Sequence, residues 1–361
     1  MRNLKWFVAA LAVSLVLVAA GDENRRRNFE PPLFASVGSV RANGIAVHSP
    51  ELVSQLTGAE APVSTEEPWN IYGTDLGIPI EHDDKLYVVF GDTWGRDESE
   101  GDDWRSNTMA IIESDPVHGY VISDVIKGEN GEAQELLSSL KEPETEYTVM
   151  PTSGISIDGR MYLHYMSIND WDQQWWDYKY PVVNGSGLAY SDDDGQTWTK
   201  DEGAWWPGDT TFTQTAMVKE DGYVYIFGTP AGRFGSARLL RVSEDDLLDP
   251  AEYEYWAGHD WNPDPALATD VVPAPVGELS VRWSEDHERW LMMYKNEVNH
   301  TIVLRTAEEL QGPWDAERVV VTAADYPSLY APYILSVDDS EVYFTMSKFN
   351  SYQVYVMRFT L

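Results

Sequence analysis

Asp83-Asp84-Lys85-Leu86-Tyr87-Val88-Val89-Phe90 is the phrase whose recurrence decides the fold. A polar pair makes a turn, and an aromatic, β-branched run then leaves it as a strand. The phrase returns as Asp158-Gly159-Arg160-Met161-Tyr162-Leu163-His164-Tyr165 and as Asp221-Gly222-Tyr223-Val224-Tyr225-Ile226-Phe227. Looser copies are Glu288-Arg289-Trp290-Leu291-Met292-Met293-Tyr294 and Ser340-Glu341-Val342-Tyr343-Phe344-Thr345-Met346. Asp-Gly between apolar runs is a strong hairpin signal. A short apolar strand precedes each copy: Leu76 to Ile80, Gly154 to Ile157, Thr215 to Val218, Leu279 to Arg282 and Tyr333 to Val337. Another follows each: Thr108 to Glu113, Gly187 to Ser191, Ala237 to Val242, Thr301 to Arg305 and Gln353 to Phe359.

Five units in phase, each with at least three meandering strands, predict an all-β chain folded as a five-bladed β-propeller. A β-sandwich is the competing arrangement, but it does not explain five matching copies. The last unit shows three strands and needs a fourth to close the ring. Residues 33–48, such as Phe34 to Val40, are expected to supply it. A short helix is expected over Gly131 to Lys141. Ser191-Asp192-Asp193-Asp194-Gly195-Gln196-Thr197-Trp198 fits the Asp-box turn of propellers, in which Asp and Gly shape the turn and Trp packs beneath it. Its role is structural. The three acids could hold calcium, but a solvated turn is the simpler reading.

Charge and composition narrow the function. The 361 residues carry 60 Asp plus Glu against 25 Lys plus Arg, a formal net charge of −35. Nucleic acid is excluded as a partner, because phosphate contacts need basic residues. There is no Cys, so disulfides, thiol nucleophiles and Cys-bound metals are excluded. No cofactor and no metal motif stands out. Residues 1–21 read as a signal peptide: Arg2 and Lys5, an apolar run from Trp6 to Ala20, then the small residues Ala19, Ala20 and Gly21. Gly21 stands where a lipoprotein would have Cys. Residues 22–32, with Arg25-Arg26-Arg27 and Pro31-Pro32, read as a linker, and 33–361 as one catalytic propeller. The expected location is secreted, periplasmic or at the cell surface, with membrane contact only through an uncleaved signal. Asn184-Gly185-Ser186 and Asn299-His300-Thr301 are glycosylation acceptors only in a eukaryotic secretory pathway.

Catalytic candidates come from hairpin geometry. Asp75 lies just ahead of the first strand of the first unit, and Asp92 just after the second. An antiparallel hairpin brings those two ends together. Paired carboxylates are the machinery of glycoside hydrolysis, although both could simply cap turns. Glu278 precedes the first strand of the fourth unit, free to face the channel or to pair with Arg105 or Arg305. Thr152 and Tyr330 hold matching positions in units two and five; Arg105 and Asn107 open a strand of unit one. His164 ends a strand, as a site residue or a hydrogen-bonded core histidine. Trp94, Trp104, Trp171, Trp175 and Trp176 lie in loops and could stack on sugar rings.

Thr74-Asp75-Leu76-Gly77, then Tyr87-Val88-Val89-Phe90-Gly91-Asp92-Thr93-Trp94-Gly95 and Trp104-Arg105-Ser106-Asn107, resembles the opening of a glycoside hydrolase family first catalogued as a domain of unknown function. Val276-Gly277-Glu278-Leu279-Ser280-Val281 and Gly312-Pro313-Trp314 agree with it. The members with assigned activity are endo-D-arabinanases acting on mycobacterial arabinan. The resemblance runs over about residues 70 to 361. It implies a five-bladed propeller, catalytic acids at Asp75 and Asp92, and a neutral, arabinan-like polysaccharide as substrate. The other readings open at this point are a carbohydrate-binding propeller without activity and a hydrolase of a different glycan.

Overall fold

The structure, a computed structural model, describes residues 45–96, 103–171 and 181–361. These form five antiparallel blades, four of them four-stranded and the third carrying extra outer strands, and the innermost strands neighbour one another in a closed ring. Blade 1 comprises Leu76–His82, Lys85–Phe90, Thr108–Asp115 and Gly119–Val125. Blade 2 comprises Thr148–Ile157, Arg160–Asp170, Val182–Ser191 and Thr199–Pro207. Blade 3 begins with Gln214–Glu220, Tyr223–Thr229 and Gly235–Ser243, and its outer edge is shared by Glu254–Trp256 and Asp270–Val276. Blade 4 is Leu279–Ser284, Arg289–Asn296, Thr301–Ala307 and Arg318–Thr322. Blade 5 is Leu329–Asp338, Glu341–Lys348 and Gln353–Thr360, closed by His48–Gln55. Core side chains fill the wedges between blades: Ile80, Tyr87 and Met109 meet Met161 and Leu163 in one cluster between blades 1 and 2.

All fifteen strands of the repeated phrase and its flanks are present. Two other expectations are corrected. The closing strand is His48–Gln55, paired antiparallel to Gln353–Thr360, and Phe34 to Val40 lies outside the described residues. Its exposed side chains and Pro50 suit an outer edge, where no second face needs covering and a missing N–H does no harm. Gly131 to Lys141 is irregular and not helical. There the Asn107 side chain takes the backbone N–H groups of Leu136 and Leu137 at 3.1 and 2.8 Å, so tertiary bonding replaces helical bonding. Residues 1–32, with the expected signal and linker, also lie outside the described residues. Among the described residues no helix is long and apolar enough to cross a membrane.

The Asp box is a closed turn. Asp193 accepts from Thr197 N and Thr197 Oγ1 at 2.8 and 2.7 Å, and Trp198 Nε1 donates to the Gly195 carbonyl at 3.0 Å. Its other two acids are paired: Asp192 with Arg160 at 2.6 Å and Asp194 with His82 at 3.2 Å. His82 belongs to blade 1, so that last contact ties the box to the neighbouring blade.

Asn107 makes a dense, buried polar knot. Besides the two bonds it accepts, its amide donates to the carbonyls of Leu137 and Val149 at 2.9 and 2.8 Å, and it is fully buried. Asn107→Ala would remove all four of these side-chain bonds, leaving Leu136 N only its 3.4 Å contact with the residue 107 carbonyl. The expected cost is more than about 3 kcal/mol, read as a lowered urea midpoint.

Candidate active site

Local irregularity aims the site residues. A strand that kept strict alternation would leave every first-strand side chain in a wedge between blades. Blade 1 breaks that alternation with a bulge between Leu76 and Ile78. Leu76 has φ 66° and Gly77 has φ 114°, the left-handed conformations that turn Asp75 toward the channel. The carbonyls displaced by the bulge are taken by blade 5: Ser347 Oγ donates to Leu76 O at 3.1 Å and Thr345 Oγ1 to Gly77 O at 2.9 Å. Blade 5 is bulged too, between Tyr330 and Tyr333, with Ala331 at φ 51°. Blade 2 slips register between Pro151 and Ser153. Three strand starts therefore tilt Asp75, Tyr330 and Thr152 into one place.

That place is a cavity of about 100 Å³ at the channel mouth. Asp75, Thr152, Glu278 and Tyr330 all line it, with Arg233 and Tyr333. Four residues expected from sequence thus meet, with Trp171 beside them. Tyr330 donates to Asp75 Oδ2 at 2.9 Å, whereas Asp75 Oδ1 is buried with no partner. Gly91 is packed against that bare oxygen; a Cβ there would sit 2.4 Å from Oδ1. The Asp75 carboxyl is pushed up to about 8, first by burial, then by the charge of Asp92, with Glu278 adding to the rise and Tyr330 and Arg233 opposing it.

Asp92 is the hairpin neighbour of that site and not part of the cavity wall. Gly91 N donates to the Asp75 carbonyl at 3.1 Å, which places Asp92 one residue beyond Asp75's cross-strand contact. Its Oδ1 accepts from Thr148 Oγ1 at 2.6 Å and from Trp104 Nε1 at 3.1 Å. Burial lifts its carboxyl to about 7, and those two donors hold it below Asp75.

The remaining candidates have structural roles. Arg105 donates to the carbonyls of Ala133 and Asn70, and Asn107 to those of Leu137 and Val149. Trp94 stacks on Trp104 with centroids 5.6 Å apart. His164 lies within its strand, fully buried, with Nδ1 2.6 Å from Thr152 Oγ1 and its ring 5.4 Å from Trp206. Burial lowers it to about 3, so it is a neutral core histidine. Glu278 is salt-bridged as anticipated, but its partner is Arg233, not Arg105 or Arg305. Trp171 lines the cavity; Trp175 and Trp176 lie outside the described residues.

Two contributors escape a reading of the sequence. Arg233 follows the second strand of blade 3, the same turn position that singles out Asp92 in blade 1, so a signal was there. Tyr352 had none. It sits in a blade 5 turn, and the charges of Asp75 and Asp92, after burial, push its hydroxyl well up. Thr74 N donates to the Tyr352 carbonyl at 2.8 Å, which docks that turn beside Asp75.

A family profile described as "Domain of unknown function (DUF4185)" matches residues 60–358. The chain belongs to the DUF4185 family. Among its relatives, "Notoamide biosynthesis cluster protein J'" of Aspergillus versicolor is 31% identical over 290 residues, 74% of this chain and 77% of that protein. A solved structure from Bacteroides ovatus covers 81% of this DUF4185 chain and 87% of its own, with TM-score 0.55 and 15% identity. The exo-beta-1,3-galactanase of Phanerochaete chrysosporium, solved with beta-1,3-galactotriose, covers 85% of this chain and 63% of its own, with TM-score 0.52 and 10% identity. At such identities the likeness is one of fold, and this DUF4185 propeller shares its fold with glycoside hydrolases.

Proposed function

We propose that the protein is a secreted glycoside hydrolase that cleaves arabinofuranosidic linkages within a neutral polysaccharide, as an endo-D-arabinanase. One observation carries the hydrolase reading: two buried carboxyls on one hairpin, Asp75 in the cavity wall and Asp92 beside it outside the wall, both holding their protons above the usual carboxylate range. Fold kinship with glycoside hydrolases supports the reaction class. The motifs around Asp75 and Asp92 support arabinan, and the leader-like residues 1–21 support export.

The hydrogen bonds assign the roles, since Asp75 accepts from Tyr330 on one oxygen while Asp92 is held by Thr148 and Trp104. Tyr330 occupies Asp75 Oδ2 as a donor, so the proton of Asp75 sits on Oδ1, the bare oxygen. Asp75 gives that proton to the glycosidic oxygen as its bond to the anomeric carbon breaks. Asp92, anchored by Thr148 and Trp104, stays the anion. Because Asp92 stands outside the cavity wall, it acts through the attacking water: it takes that water's proton, and the hydroxide completes the anomeric carbon. The net change is one glycosidic bond and one water consumed.

The pH dependence follows with a definite sign. Activity falls on the alkaline side as Asp75 loses its proton near 8, and on the acid side as Asp92 gains one near 7. A bell with its maximum between those values is expected in kcat/KM; the two limbs are properties of the coupled pair. Thr148→Val removes a donor from the Asp92 anion. It should move the acid limb to higher pH and narrow the bell, with the alkaline limb shifting less.

A panel of D-arabinan, L-arabinan, xylan, galactan and polygalacturonate, scored for reducing ends and product size, tests the substrate. Short oligosaccharides from D-arabinan are expected from the outset. Activity confined to another glycan would sink the arabinan assignment, and single sugars released from chain ends would sink endo action.

A further inference from the structure

Among the described residues, two side-chain oxygens in the cavity wall are buried without a hydrogen-bond partner: Asp75 Oδ1 and Glu278 Oε2. The first is explained by the proton it donates in the proposed reaction. The second is not. A buried carboxylate oxygen without a donor costs free energy, so its partner comes from outside the chain.

The clamp on Glu278 shows what kind of partner fits. Arg233 Nε and Nη2 both reach Oε1, at 2.8 and 2.6 Å, and leave Oε2 bare. Arg233 Nη1 lies 3.4 Å from Glu297 Oε2, and the guanidinium lies over the Tyr330 ring at 5.2 Å. The guanidinium already balances the Glu278 charge, so what Oε2 lacks is a donor and not a cation. Among the described residues Arg233 is also the one basic residue in the cavity wall, and its fork is turned to Glu278 and Glu297. No other cation among the described wall residues is aimed at a substrate carboxylate. A uronic acid would bring its charge beside the Glu278 carboxylate.

We propose that Glu278 is the residue that reads the sugar: Oε2 accepts a hydrogen bond from the ring hydroxyl next to the anomeric carbon that faces Asp75, which selects neutral sugars carrying that hydroxyl. The inference rests on the glycosidase reading above. Glu278 and Asp75 share one small cavity, and Glu278 is near enough to raise Asp75's hold on its proton. A ring with its anomeric carbon at Asp75 presents the adjacent hydroxyl across that gap. A bond from a carboxylate to that hydroxyl strengthens as the ring becomes cationic, so it acts on the transition state as well as on binding. Arg233 is then a positioning residue that fixes which oxygen of Glu278 faces the sugar.

The test compares two substrates. One is an aryl arabinofuranosyl oligosaccharide; the other lacks the 2-hydroxyl on the sugar bearing the aryl group. The wild-type protein should favour the hydroxylated substrate by at least ~100-fold in kcat/KM, because a site built to bond a hydroxyl rejects the analogue lacking it. Glu278→Gln should shrink that ratio to below ~5-fold, through loss on the hydroxylated substrate, with the deoxy substrate changed less than ~3-fold. Glu278→Asp keeps the charge beside Arg233 and withdraws the oxygen, so it should also lose discrimination while melting near the wild type. Equal losses on both substrates, or an unchanged ratio in both variants, would overturn the role of Glu278 and leave the glycosidase reading standing. No turnover of either substrate or of any glycan in the panel by folded wild-type protein would overturn that reading, and this inference with it.

Discussion

Asp75→Asn is expected to abolish hydrolysis, with kcat lowered by roughly 10³-fold or more, and at the same time to make the protein more stable at neutral pH. The two effects have one cause. The asparagine amide cannot deliver the proton that the leaving oxygen needs, yet it fills the same space and can still accept from Tyr330. The carboxyl it replaces is buried, with Tyr330 donating to one of its oxygens, and its proton is held up to about 8. Below about pH 4, Asp75 is protonated in the folded and unfolded chains alike, and Asn has nothing to gain. Between about 4 and 8 the unfolded chain gives up that proton while the folded chain keeps it, so the wild type loses stability as pH rises. The full difference, present above about pH 8, is a few kcal/mol. Melting curves of the two proteins should therefore coincide near pH 4 and separate by several degrees at pH 8, with the inactive variant higher. An inactive variant that melts lower at every pH would mean that Asp75 is a structural turn residue.

The second large effect is expected at Asp92. Asp92→Asn should lower kcat by about two to four orders of magnitude and change the shape of the pH profile. Without the neighbouring charge, Asp75 holds its proton less strongly, so the residual activity should lose its alkaline limb at a lower pH than the wild type. The acid limb, assigned to protonation of Asp92, should disappear. A variant with reduced activity and both limbs intact would remove Asp92 from the proton economy and leave it as a bracket for Thr148 and Trp104.

The five blades were legible because their signals are local. An Asp-Gly turn and the alternation beside it sit within a dozen residues, as in Asp158-Gly159 and Asp221-Gly222, so each hairpin announces itself. The closing strand was not legible where expected. His48–Gln55 is an outer edge with mostly exposed side chains, so no alternation marks it. The absent helix at 131–141 has the same lesson from the other side, since its fate depends on Asn107, a buried side chain just ahead of an earlier strand.

The site was legible as far as one hairpin reaches. Asp75 and Asp92 belong to the same pair of strands, and antiparallel geometry alone brings them together. Thr152, Glu278 and Tyr330 followed from the position each holds ahead of its blade. That same reasoning misplaced Arg105 and Asn107, because a polar side chain at a strand start can turn outward to brace a loop as readily as inward. It could not reveal the bulges, which depend on Ser347 and Thr345 of blade 5 receiving the displaced carbonyls. Arg233 holds a turn position that local reasoning could have flagged, whereas Tyr352 comes beside Asp75 only once the ring closes, and no local pattern encodes that.

Reducing-end release from D-arabinan by the wild-type protein and by Asp75→Asn, at pH 7 to 8 and with both proteins shown to be folded, tests the central claim most directly. The account predicts steady release by the wild type and release at or near background by the variant. Equal release by the two would contradict it, as would a folded wild-type protein that releases nothing.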